Sequence, residues 1–485
     1  MTGSARSGDV GLLNPAWAGS AAAELCDDTA VLQAMLDVER AWLEICLATP
    51  LPTTAPAPAP PTAPTTAPTT VRTASRGQDC GPDCSSDHDT QSSATLAASG
   101  VWEAGAYDLG SIAARTPLGG NPLIPLLSDL RAQLAQSAPA QAQVVHLGAT
   151  SQDVIDSALM LVATRVIDDL LPRLDAACDH LATLATTHRD TLCVARSLGQ
   201  HALPSTFGLR AANWLEGLSA AAADLRLVRA GLPVQWAGAA GTSASLVARL
   251  HLTAADTSAA ELRARLADRL GLVAAPGWHT TRGPVLRLAS ALSAVVAAAG
   301  TLATDVVTGS RNEIGELAEP VAPGRGGSSA MPHKHNPVLS VTIRSAAMSA
   351  PGLLATVATA AGQAADERPD GAWHAEWPAL RELLRLTGGV AALLQELTGG
   401  LRVDVDALRR NLDHSLPDVL AERAALSKAV SDSASEPASG AGSGAASERS
   451  QPDLDPDLDP AGYLGEAGEL VDELVRRHAG RTTLS

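Results

Sequence analysis

Apolar side chains recur along most of the chain at intervals of three and four residues, the spacing of helices that each bury one face. From Thr29 to Ala48, TAVLQAMLDVERAWLEICLA sets Leu32, Met35, Leu36, Glu39, Trp42, Leu43 and Cys46 on one stripe, with Thr29 a candidate cap. From Ser151 to Asp190 a broad stripe carries Val154, Ile155, Ala158, Leu159, Val162, Val166, Leu170, Leu174, Cys178 and Leu181, which predicts a helix of unusual length. Pro172 lies inside it and should only kink it, because neighbouring packing absorbs one lost hydrogen bond. Further helical patterns cover residues 205–230, 243–270, 284–308, 337–362 and 376–398. Several long helices in succession predict a bundle.

Two stretches break the pattern. TPLPTTAPAPAPPTAPTTAPTT follows the first helix, and its prolines and small polar residues can neither continue a helix nor pack a core, so residues 49–93 read as a disordered insert. Residues 431–460, SDSASEPASGAGSGAASERSQPDLDPDLDP, read the same way, and helical spacing resumes after them. The expected fold is all-α, a long central bundle flanked by two smaller helical domains. The expected divisions are 1–150, 151–400 and 401–485.

Composition changes this picture little. With one Phe and two Tyr in 485 residues and few alternating valines, helix is favoured over sheet. A formal charge of −17 argues against a nucleic-acid partner, since phosphate backbones are met by basic faces. Six cysteines at irregular spacing do not make a disulfide framework. The N-terminus MTGSARSGDVGLLNPAW has no apolar signal core, and residues 288–307, the longest nearly apolar run, read better as a core helix than as a membrane span. A cytoplasmic protein with no membrane partner is expected. Cys80, Cys84 and His88 stand at four-residue steps, but with no fourth ligand nearby a solvated loop is the better reading, and no metal site is expected.

Three polar segments lie between the helical stretches: VVHLGATSQDVIDS at 144–157, ARSLGQHALPSTFG at 195–208, and GRGGSSAMPHKHNP at 324–337. Each is placed by its pattern at a helix end, and a bundle can bring such ends together. A helix starting at Ser151 offers backbone N–H groups and a positive dipole end to a carboxylate, although simple capping explains Thr150 and Ser151 about as well. The third segment reads as a loop. It lacks both the Gly-x-Ser-x-Gly turn of a hydrolase and the spacing of a phosphate loop, and its serines would need cationic neighbours such as Lys334 to act in proton transfer.

GSSAMPHKHNP resembles the GSSxMPxKxNP motif of the fumarase/aspartase superfamily, HLGATSQDVIDS resembles the superfamily's second conserved region, and ARSLGQHALPSTFG falls where a third is expected. The resemblance covers residues 10–48 and 95–430. Within the superfamily, GNPLIPLL at 120–127, PGWHTTRGPV at 276–285, NPVLSVTIRSAA at 336–347 and ERPDGAWHAEWPALREL at 367–383 are most similar to the 3-carboxy-cis,cis-muconate cycloisomerases. This implies a three-domain fold and a homotetramer with shared sites. It also implies reversible lactonisation of a small tricarboxylate in protocatechuate breakdown, with no metal or organic cofactor. Carried over residue by residue, Ser328 becomes the proton-transfer group, with His146, Thr150, Ser151, Gln200, Arg282, Lys334 and Asn336 binding substrate.

The chain departs from many superfamily lyases at Ser197 and Leu198, where they have Thr-His; His201, read as lying in a helical segment, is the candidate replacement. The glutamate beyond the lysine in fumarases is also missing, with Ser340 and Val341 in that region. An adenylosuccinate-type lyase releasing fumarate and a non-catalytic scaffold are the alternatives.

Overall fold

The structure, a computed structural model, describes residues 10–49, 51–52, 99–327, 331, 334–435 and 459–482. Most of the expected 49–93 insert, the greater part of 431–460, and Cys80, Cys84 and His88 lie outside the described residues.

The elements used below are α1 (Asp28–Ala48), α2 (Ser151–Thr187), β1 (Leu192–Ser197), β2 (Gln200–Thr206), α3 (Phe207–Ala230) and α4 (Ala244–Thr253). They continue with α5 (Ala259–Leu270), α6 (Gly283–Gly309), α7 (Val338–Gly362), α8 (Ala372–Gly399), α9 (Val405–His414), α10 (Ala421–Ser435) and α11 (Ala467–Thr482). The fold is the helical one expected, and the described strands amount to two small two-stranded antiparallel sheets. Compactness divides the chain into two units: one of residues 1–31, 159–233 and 278–485, the other of residues 32–158 and 234–277.

The first unit holds the bundle, with α6 packed on α3, α7 and α8, and α7 on α8. The ten residues of the predicted α2 stripe are all buried, and the helix runs unbroken through Pro172. Small residues set the spacing between helices. A Cβ at Gly300 of α6 would stand 2.5 Å from that of Ala347 on α7, and one at Gly389 of α8 would stand 2.1 Å from the Ala16 carbonyl. Helices α6 and α7 are long and apolar enough to cross a membrane by length and composition alone, but α6 is largely buried inside the protein. That matches a core helix.

Three local expectations are corrected. Asp27, not Thr29, caps α1: its carboxylate accepts from the Ala30 amide at 2.7 Å. The 243–270 pattern is two helices, since Ala254 takes a left-handed φ of 49° and Ser258 with Glu261 builds a capping box that starts α5. Residues 192–206 are a β-hairpin leading into α3, so His201 lies on a strand and not in a helical segment. Ser197 pairs with Gln200 across Leu198 and Gly199, whose φ values of 51° and 80° make the two-residue turn that suits twisted strands.

At Gly389 a substitution meets main chain, which cannot swing aside. Gly389→Ala is expected to cost roughly 3 kcal/mol and lower the melting temperature by several degrees. An unchanged thermal transition would show that the 10–20 segment yields more easily than its packing suggests.

Candidate active site

The candidate residues fall in both units. His146, Thr150 and Ser151 belong to the second, while Gln200, His201, Arg282, Lys334 and Asn336 belong to the first. Ser328 lies outside the described residues.

In the second unit the start of α2 is held by Asp153, fully buried in the first turn. Its carboxylate accepts from the Thr150 amide at 3.0 Å, the Ala237 and Gly238 amides at 2.9 Å each, and the Gln235 side-chain amide at 3.2 Å. One acid thus reaches back to cap the helix and pins residues 235–238 to it. The Thr150 amide, expected to face a substrate carboxylate, already has an internal one. Four residues upstream, His146 has a left-handed backbone, φ 64°, and its Nδ1 lies 2.6 Å from Oε1 of Glu39 on α1. Glu39 is fully buried. Trp42, one turn along, donates to the Leu147 carbonyl at 2.8 Å and stacks at a tilt on Trp236, 4.6 Å between centroids. Burial, reinforced by the Glu39 charge, pushes the Cys46 thiol far up, so this cysteine is an inert part of the packing.

In the first unit the hairpin is fastened through its base. Arg196 of β1 meets the fully buried Glu316 with two hydrogen bonds, 2.9 and 2.5 Å, and Arg210 and Asn411 add donors at 3.3 and 2.8 Å. Burial pushes the Glu316 carboxyl up, but these hydrogen bonds and the two guanidinium charges outweigh it and hold the group below its usual range. His201 of β2 stands with Nδ1 2.6 Å from the Ser415 hydroxyl. Desolvation where the ring meets the protein, then the charges of Arg196 and His414, push its imidazole down against the opposing pull of Glu316, which favours the neutral ring. A neutral imidazole is able to accept a proton. Gln200 and Leu198 at the hairpin's end are exposed.

Arg282 is almost wholly buried and spends its guanidinium inside the chain. It donates to both Glu376 oxygens, at 2.6 Å from Nη2 and 3.1 Å from Nε, and lies 4.8 Å over the Trp278 ring. The bidentate geometry expected toward a substrate is met by an internal carboxylate. Asn336 likewise bonds within the loop: its amide and its side chain both donate to the Gly326 carbonyl, at 2.9 and 3.0 Å. Gly326 has φ 69°, and a Cβ there would come within 2.6 Å of the Asn336 carbonyl, so this clasp requires glycine. Arg325 ties the same edge to Glu396 at 2.7 Å, and Lys334 is exposed. At the start of α7, Glu319 receives the Leu339 and Ser340 amides at 3.0 and 2.7 Å and caps the helix.

The family model described as "Lyase" matches residues 123–352. A nitrosuccinate lyase of Streptomyces davaonensis is 42% identical over 333 residues, 68% of this chain and 70% of its own length. A 3-carboxy-cis,cis-muconate cycloisomerase of Bradyrhizobium diazoefficiens is 42% identical over 321 residues, 66% of this chain and 69% of its own. The crystal structure of 3-carboxy-cis,cis-muconate lactonizing enzyme from Pseudomonas putida superposes with a TM-score of 0.74 at 30% identity, covering 95% of this chain and 97% of that one. The chain belongs to this lyase family, the fumarase/aspartase superfamily.

Asp153 and Glu316 were not singled out from the sequence, and Glu39 was named only as a member of the α1 stripe, yet each is a buried carboxylate that fixes a candidate. For Glu316 the pKa shift gives a sign. Its folded value lies below the unfolded one, so its stabilisation is complete above the ordinary carboxyl range near ~4.3 and is lost as pH falls through the lower folded value. Glu316→Gln is therefore expected to cost roughly 3 kcal/mol at pH 7 and progressively less below about pH 4. Denaturation midpoints at both pH values check it, and a pH-independent loss would argue for packing alone.

Proposed function

We propose that this chain is a cycloisomerase interconverting 3-carboxy-cis,cis-muconate and 4-carboxymuconolactone in protocatechuate degradation, working in the cytoplasm as a homotetramer with shared sites. The observation that carries the reading is the match to the Pseudomonas putida lactonizing enzyme over 95% of the chain at 30% identity. The divisions 1–150, 151–400 and 401–485 belong to the same proposal.

In the lactone one carbon bears the ring oxygen and a carboxylate, and the neighbouring CH2 bears a second carboxylate. Removing a CH2 proton delocalises charge onto that second carboxylate, and the resulting dianion expels the ring oxygen; lactonisation runs the same steps backwards. The dianion needs cations and N–H donors already in place, and the carbon needs a group that moves its proton. Ser328 is our candidate for the proton, with the neutral His201 as a second acceptor. Arg282 and Asn336 reach substrate only by sharing donors already engaged with Glu376 and Gly326. The Thr150 amide is likewise shared with Asp153, so carboxylate binding falls mainly on His146, Lys334, Gln200 and Ser151.

The 42% identity to a nitrosuccinate lyase favours a second reading, turnover of nitrosuccinate. The two substrates share a succinate skeleton with the leaving group β to a carboxylate, so one arrangement of donors suits both. Incubation with 3-carboxymuconate, nitrosuccinate and adenylosuccinate, followed by ultraviolet absorbance, separates them. Turnover of 3-carboxymuconate is expected; activity only on another of the three would sink the proposal, and activity on none would favour a scaffold. Ser328→Ala is expected to lower kcat on the order of 100-fold or more without changing the melting temperature.

A further inference from the structure

Glu39 lies on the buried stripe of α1 among apolar residues, an unusual place for a carboxylate. Its Oε1 contacts His146 Nδ1 at 2.6 Å, and its Oε2 is buried with no hydrogen-bond partner among the described residues. A buried carboxyl is costly unless it is hydrogen-bonded, and His146, whose side chain keeps only a small exposed fraction, is the partner at 2.6 Å. The backbone agrees with this arrangement. His146 is held at φ 64°, a conformation that non-glycine residues keep only when the surroundings demand it, between Val145 and Gly148 at the turn leading into α2. With Nδ1 given to Glu39, Nε2 is the ring's remaining nitrogen.

We infer that Glu39 is a positioning residue that fixes the ring of His146 through Nδ1, so that Nε2 is the nitrogen that meets a carboxylate of the substrate. The inference rests on the proposed role of His146 and assigns a cause to it. Glu39→Gln replaces the carboxyl with an amide of nearly the same shape, so it separates the carboxyl group from packing. Glu39→Asp keeps the carboxyl on a shorter arm.

The test compares KM and kcat for 3-carboxymuconate, and the Kd of propane-1,2,3-tricarboxylate as an unreactive probe, in the wild type and both variants. Glu39→Gln is expected to raise KM and Kd about tenfold with kcat within about threefold, and Glu39→Asp to recover much of that loss. Equal KM and Kd in Glu39→Gln and wild type, or equal damage in both variants, would overturn the inference. Ring-nitrogen NMR of wild-type His146, assigned by its loss in His146→Gln, is independent of whether Glu39→Gln folds: an Nε2 resonance that moves on adding the tricarboxylate probe is expected, and an unmoved one would refute it. If the wild type fails to turn over 3-carboxymuconate, the proposed function falls, while probe binding and the NMR still decide the role of Glu39.

Discussion

The first unit depends on one buried carboxylate. Glu316 receives Arg196 from the hairpin, Arg210 from α3 and Asn411 from α9, while its own amide donates to the Gly309 carbonyl at the end of α6. Segments far apart in sequence therefore share a single charge. An exposed ion pair of the same residues would add little. Here the acid is out of water and fully hydrogen-bonded, so the cost of leaving it unpaired fixes the arrangement more than the attraction itself. The hairpin that carries Gln200 and His201 inherits its position from that constraint.

The same device recurs at Asp153, Glu39 and Glu376. A carboxylate is buried against a helix start, a histidine or an arginine, and a loop is held in one conformation by it. Such a frame suits chemistry on polyanions. The acids used for construction are sealed away from solvent, so they belong to the frame and not to its surface.

Much of the helical frame was legible because burial of one face writes a period of 3.6 into the sequence: each residue named on the α2 stripe is buried. What stayed hidden has specific causes. The hairpin turns on Leu198-Gly199, and leucine is not the asparagine or aspartate that announces such a turn, so the strands on either side read as helix flanks. The break in 243–270 was marked by Ser258 and Glu261, a capping signature overlooked because the apolar spacing continues across it. Among the site residues, composition pointed to the polar segments, but it could not say that Arg282 and Asn336 already have partners, because Glu376 and Gly326 lie 94 and 10 residues away. Glu39 did leave a trace, an acid on an apolar stripe. That is the pattern a buried partner imposes.

Leu198 gives the hairpin a different significance when viewed as a choice among residues. Its backbone sits in the left-handed region at a conformational cost of about 1–2 kcal/mol, and its side chain, fully exposed, returns no packing among the described residues. Asparagine or glycine would fold the turn more cheaply, so a redesign guided by thermal robustness alone would replace this leucine first. A residue kept against its own conformational preference marks a position where robustness and use diverge.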